Sequence, residues 1–163
     1  MTERVPSRRD ILAGLGAAGA TIIATSAEVA AADRRIQQLE GFRSDPVAEA
    51  VLFVHNKALE KLVLSYIAAF ESAGLRSQEA MNANPALQSI QRQIDATLAD
   101  PAFKMALLVH LQRTLPKSDQ RDIVGDSIAK KDTSYTVSAT FYYSAAGRLG
   151  FGIDVNGLWA TGG

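Results

Sequence analysis

The spacing of apolar residues changes once along this chain, near Ser134, and that change constrains the fold class more than any other feature. Before Ser134, apolar residues recur every three or four positions, which is the period of a helix with one buried face. After it, apolar and polar residues alternate, which is the period of a half-buried strand. Helices that come first and strands that come last favour an α+β fold. We therefore expect three to four helices that form a small helical half, followed by a C-terminal antiparallel β-hairpin or meander.

Three pairs of residues mark helix starts, because each places a capping side chain before a proline at the first helical position. The pairs are Asp45-Pro46, Asn84-Pro85 and Asp100-Pro101. Ser118 offers a cap for a fourth, weaker helix. Together with the apolar spacing, these signals predict helices over 46–73, 85–99, 101–115 and 119–129.

The alternating part of the chain predicts strands over 134–144 and 148–155, joined by a turn. Asn156-Gly157 is a hairpin-turn signal, so a short third strand is expected over 158–160. A lone hairpin is only marginally stable in water. Its apolar face should therefore pack on the helices or on another chain.

The chain divides into three predicted segments: a leader over 1–32, a polar arm over 33–45 and a single α+β domain over 46–163. Its length of 163 residues suits one folded domain. The 17 Lys and Arg residues balance the 17 Asp and Glu residues. Nucleic-acid binding depends on an excess of positive charge, so DNA and RNA are poor candidates for a partner.

The chain contains no cysteine. Disulfides, thiolate metal sites, Cys-ligated iron–sulfur clusters and covalently attached haem are thereby excluded. Packing must stabilise the fold without covalent crosslinks.

The first 32 residues have the layout of a secretory signal, with a basic start, an apolar stretch over 11–24 and small residues at Ala30 and Ala32. The residues that join the basic and apolar parts are Ser7, Arg8, Arg9, Asp10, Ile11 and Leu12. This run resembles the twin-arginine (Tat) export motif, in which two arginines are followed by any residue and two apolar ones. The resemblance implies export by the Tat translocase to the periplasm or beyond, and cleavage after Ala32.

An uncleaved leader that stays in the membrane as an anchor is the alternative, although its stretch rich in Ala and Gly is only mildly hydrophobic. No transmembrane segment is expected in the mature part, 33–163. Resemblance to Tat substrates further implies that the chain crosses the membrane already folded. It would then either carry an inserted cofactor or travel bound to a partner that carries one.

In organisation, the chain is similar to the Tat-leader small subunits of membrane-bound sugar and alcohol dehydrogenases. That similarity implies a non-catalytic accessory subunit of a periplasmic oxidoreductase complex, which has a larger exported partner and no cofactor of its own. The nucleophile elbow G-x-S-x-G, the zinc motif H-E-x-x-H, the P-loop and the dinucleotide motif G-x-G-x-x-G are all missing, which favours a non-catalytic role.

Two other functions stay open. The two histidines, His55 and His110, lie on different predicted helices. On facing surfaces of a bundle they would hold a b-type haem from opposite sides, or contribute to a metal site.

The other alternative is a free-standing periplasmic protein that binds a ligand or self-assembles. Its support is one polar face of the first strand and the single tryptophan in the tail. Hydroxyl-rich faces can bind a polymer or pair with a strand, and Trp is enriched at interfaces. The candidate binding residues are Thr136, Ser138, Thr140, Tyr142 and Trp159.

Overall fold

A helical turn at 34–37, five longer helices and a two-stranded hairpin follow one another in the computed structural model, which describes residues 34–159 except the side chains of residues 55 and 56. The helices are α1 (Pro46–Ala73), α2 (Gln78–Ala83), α3 (Pro85–Ala99), α4 (Pro101–Thr114) and α5 (Asp119–Ala129). The strands are β1 (Thr136–Tyr143) and β2 (Leu149–Asn156), paired antiparallel. The fold is α+β, as the sequence predicted. The predicted export motif and cleavage residues lie outside the described range.

Side chains cap the N-termini of all five helices. The oxygen of each cap accepts a hydrogen bond from a backbone N–H in the first turn, which otherwise has no partner within the helix. The capping residues are Asp45, Ser77, Asn84, Asp100 and Ser118. At its other end, α1 stops at Gly74, whose φ of 62° is the left-handed conformation that glycine adopts without strain.

Two parts of the chain differ from the sequence prediction. Helix α2 has only two turns, too few to display an apolar period, and Ser77 is its one sequence signal. The third strand predicted over 158–160 is replaced at 158 and 159 by a bend, while residue 160 lies outside the described range. Gly157 turns the chain with a φ of 91°, and Leu158 is buried in the core.

The segment predicted as a polar arm is packed onto the domain. Ile36 is only 1% exposed, because its side chain enters the core. Glu40 then forms an isolated parallel bridge with Gly150 of β2, through hydrogen bonds to the backbone of Leu149 and Phe151. These two contacts attach residues 34–40 to the open side of β2.

The core lies between the hairpin and the helices. Helix α1 contacts α3 and α4, α5 packs on α4, and β1 packs on α3 and α2. Aromatic rings in contact connect the two layers, with centroid distances of 5.6 Å from Phe42 to Phe151, 4.6 Å from Phe151 to Phe141 and 3.7 Å from Phe141 to Tyr66. None of the helices in the described range combines the length and apolar character of a membrane span.

Helix α1 contains a local distortion at Lys57, which has a φ of 67°. A positive φ is unfavourable for a residue with a long side chain and persists only where the surroundings enforce it. The ammonium group of Lys57 lies 2.6 Å from the carboxylate of Glu60, and both side chains are almost fully buried. The Lys57 Nζ also lies 3.8 Å from the centre of the Phe53 ring, a favourable cation–π distance.

Candidate functional site

The polar face predicted for the first strand faces solvent. Thr136, Ser138 and Thr140 are exposed, whereas the side chains that alternate with them are buried. The cross-strand pairs on this face are Thr136 with Asn156, Ser138 with Asp154 and Thr140 with Gly152. Paired residues of a sheet point to the same side, so hydroxyl groups from β1 and polar groups from β2 share one surface.

Tyr142 lies on the same strand face but is only partly exposed. Its hydroxyl donates a hydrogen bond of 3.1 Å to the backbone oxygen of Glu40, which fixes the ring over the hairpin. The ring covers Gly150, and a Cβ at Gly41 or at Gly150 would clash with it. Tyr142 therefore fastens segment 34–41 to the hairpin and offers little free surface to a ligand.

A cleft of about 790 Å³ opens beside the polar face, where two chain segments separate. The Glu40 segment runs parallel to β2 as far as its bridge with Gly150. At Gly41 the backbone takes a φ of 78° and leaves β2 to begin α1. The lining comes from six of the residues between 41 and 48, the two residues that follow α4, the start of α5, β2 and Trp159. The volume lies within the range of about 300–1,000 Å³ that is typical of ligand sites.

One wall of the cleft is an unpaired strand edge. Ser144 and Arg148 form a hydrogen-bonded pair, so the even-numbered residues of β2 bond to β1 and the odd-numbered residues direct their backbone groups outward. Glu40 pairs with two of these outward groups, the C=O of Leu149 and the N–H of Phe151. Within the described part of the chain, no hydrogen bond is formed by the outward groups of Ile153 or Val155. Both residues line the cleft.

The cleft combines apolar surface with three charged side chains, Arg43, Asp45 and Asp154. The side chains of Ile153, Val155 and Trp159 are only partly buried there, although each packs against the core. Arg43 and Asp154 are exposed at the cleft, and within residues 34–159 neither forms an ion pair. An apolar wall with a few convergent polar groups is the usual composition of a binding site.

The cleft brings together some of the residues that the sequence singled out. Trp159 lies in it, and Gly152 and Asp154 line it while pairing with Thr140 and Ser138 on the polar face. The hydroxyl face of β1 is thus continuous with the cleft. Sequence reasoning missed Asp154 and Arg43, although Asp154 carried a signal as the charged residue between two apolar positions of β2.

His110 does not line the cleft. His110 is on α4 and partly buried, and its pKa is lowered first by burial and then by the positive charge of Arg113. His55 lies on α1, which contacts α4, but its side chain is outside the described part of the chain. The described residues contain no group of three His, Asp or Glu side chains that suits a metal ion. Haem binding by the two histidines stays a prediction.

Comparison of the chain with models of protein families, with curated proteins and with solved structures gives no match.

Proposed function

We propose that this chain is an exported, non-catalytic accessory subunit that acts by binding a larger partner in the cleft beside β2. The observation that carries the proposal is the cleft itself, in which an unpaired strand edge, partly exposed apolar side chains and Trp159 face the same space. Exposed apolar surface rimmed by polar groups is a common mark of an interaction site. The polar face of β1 extends this surface.

The place of action follows from the leader. The resemblance of residues 7–12 to a twin-arginine motif supports export by the Tat translocase, and cleavage after Ala32 would leave the described domain intact. The similarity in organisation to small dehydrogenase subunits supports an oxidoreductase complex of the periplasm as the assembly that the chain joins.

The test is purification of the tagged chain from the exported fraction in mild detergent, followed by mass spectrometry of the chain and of every co-eluting protein. We expect an N-terminus at Asp33 and one larger protein in stoichiometric amount, with a flavin or metal absorption spectrum. A chain that still begins at Met1 contradicts the cleavage, and a chain that elutes alone contradicts the accessory role.

Trp159 supplies a direct measure of binding at the cleft, since it is the only tryptophan in the chain. Adding the purified partner should shift its fluorescence emission, and Trp159→Ala should weaken the complex about tenfold or more. The matched control is Val109→Ala, which shortens an exposed apolar side chain on α4 outside the cleft lining and should have little effect.

A second function fits the same cleft. Its volume of about 790 Å³ would accept a small molecule, and the Arg43 and Asp154 side chains offer a donor and an acceptor. A lone colourless chain whose Trp159 fluorescence responds to low-molecular-weight compounds from the exported fraction would favour this free-standing binding protein. Absorption in the Soret region, with loss on changing His55 or His110, would instead indicate haem.

A further inference from the structure

The open edge of β2 is short and offers a defined set of backbone groups. Ile153 and Val155 each direct one N–H and one C=O into the cleft. Beyond them, Glu40 pairs with the C=O of Leu149 and the N–H of Phe151 on one side, and Gly157 ends the strand on the other. At Ile153 and Val155 an added strand would therefore meet four backbone groups, two donors and two acceptors, and the outward C=O of Phe151 lies next to them.

The side chains at this edge also lack a complete cover. Leu149 and Phe151, which lie beside the Glu40 segment, are buried, whereas Ile153 and Val155 on the same side of β2 are only partly buried. The difference arises where the chain leaves β2 at Gly41. An extended segment that continues along the edge would cover the apolar side chains as well as pair the backbone, which is how peptides bind to exposed sheet edges.

The charge of Asp154 indicates whether the strand that adds to this edge comes from a second copy of this chain or from a different chain. Two copies that both use Ile153 and Val155 must pair Ile153 of one with Val155 of the other in antiparallel register. This register sets the two Asp154 side chains directly opposite each other on the exposed face. Like charges in a cross-strand pair are destabilising, whereas opposite charges stabilise the pair. Asp154 therefore disfavours a second copy and favours a guest with a basic residue at that position.

We propose that the occupant of the cleft is an extended segment of a partner polypeptide, which adds to β2 at Ile153 and Val155 and places a lysine or arginine beside Asp154. This inference rests on the proposed function, because it requires the cleft to be a binding site. The segment supplies the strand that residues 41–45 do not form, and Trp159 contacts its apolar side chains.

A displayed library of random nine-residue peptides, selected on the purified exported chain, tests the proposal. We expect the selected peptides to alternate in polarity and to be enriched in lysine or arginine at one position. The same selection on Asp154→Lys should instead enrich aspartate or glutamate there. Ala146→Lys is the matched control, since it adds a positive charge at the exposed hairpin turn, at the opposite end of the hairpin from the cleft, and should leave the selection unchanged.

Backbone pairing has its own test in the best selected peptide. Two versions of the peptide carry methyl groups on the backbone nitrogens of alternate residues, one version on the odd-numbered and the other on the even-numbered residues. The version whose methylated nitrogens face β2 should bind about tenfold more weakly or worse, and the other version should bind almost as well as the unmodified peptide. In the protein, Val155→Pro removes one outward N–H that the hairpin does not use, and it should weaken the same peptide to a similar extent. Because the methylated peptides leave the protein unchanged, a folding defect in the proline variant does not affect the test.

Three results would overturn the inference: no selected peptide, a selection that Asp154→Lys does not alter, or equal binding of the two methylated versions. Failure of the proposed function is distinguishable. A larger partner that co-elutes with the wild-type chain and equally with Val155→Pro preserves the accessory role and rejects strand addition. If no partner co-elutes and no peptide is selected, the accessory role and strand addition are both rejected.

Discussion

The ring of Tyr142 lies directly over Gly150, its cross-strand neighbour, and fills the space that a side chain at Gly150 would occupy. The hydroxyl then reaches the backbone oxygen of Glu40 at 3.1 Å. Two residues later on β2, Gly152 also lacks a side chain, but nothing lies within 4 Å of the position its Cβ would occupy. The two glycines on one strand face thus have opposite environments.

We expect Gly150→Ala to destabilise the domain by about 1–3 kcal/mol, because the added methyl group would displace the Tyr142 ring. Gly152→Ala is the matched control on the same strand face, and its effect should stay within about 0.5 kcal/mol. Urea unfolding followed by circular dichroism measures both changes. Equal losses in the two variants would show that Tyr142 does not pack over Gly150 in solution.

Asn84 ends α2 and begins α3. Its backbone N–H donates to the oxygen of Met81, while its side-chain oxygen accepts a hydrogen bond of 3.0 Å from the N–H of Leu87. We expect Asn84→Ala to cost about 1 kcal/mol of folding free energy, since it removes only the side-chain cap. Asn84→Asp should retain most of the stability because Asp is an equally good cap. If the two variants unfold alike, the cap contributes nothing.

The features that the sequence predicted well depend on neighbouring residues. Asp45, Asn84 and Asp100 each cap the helix that starts at the following proline, because the capping bond spans only a few residues. The alternation of the hairpin is likewise local. Helix α2 was missed because six residues are too few to show a helical period.

The site depends on contacts between distant residues, and that is why the sequence revealed it only in part. The cleft exists because Glu40 bridges Gly150 and the chain then departs at Gly41, a pairing across about a hundred residues. No local pattern indicates such a bridge. Alternation alone predicted Tyr142 on the binding face. It could not predict the long-range hydrogen bond by which Tyr142 holds Glu40 against the hairpin.

The stability of the domain should depend on pH through His110. Burial, and after it the charge of Arg113, lowers the pKa of this side chain below its ordinary value of 6.5. As the pH falls through 6.5, the unfolded chain takes up a proton that the folded chain still resists, so stability decreases across the range just below 6.5. Because the His110 side chain is only partly buried, the slope should be shallow.

The measurement is urea unfolding from pH 7.5 to pH 5, on the wild-type chain and on His110→Gln. The variant should lose less stability over this range, and the difference between the two curves isolates His110 from His55, which both chains contain. Parallel curves would mean that His110 titrates alike in the folded and unfolded states.

The buried ion pair of Lys57 and Glu60 makes the sharpest prediction about α1. Their charged atoms are 2.6 Å apart and their side chains are 3% and 1% exposed, so each charge depends on the other within a poorly solvated interior. Removing one partner takes the opposite charge away from a buried charged group, which typically costs about 3–5 kcal/mol. We therefore expect Glu60→Leu alone and Lys57→Met alone to destabilise the domain strongly.

The double variant should be more stable than either single one, because it buries two apolar side chains in place of two charges. Lys57 also has a positive φ, and we expect that loss of the ion pair allows α1 to relax there. A double-mutant cycle by urea unfolding gives the coupling energy directly. Additive losses would mean that the two side chains do not interact, and that the distortion at Lys57 has another cause.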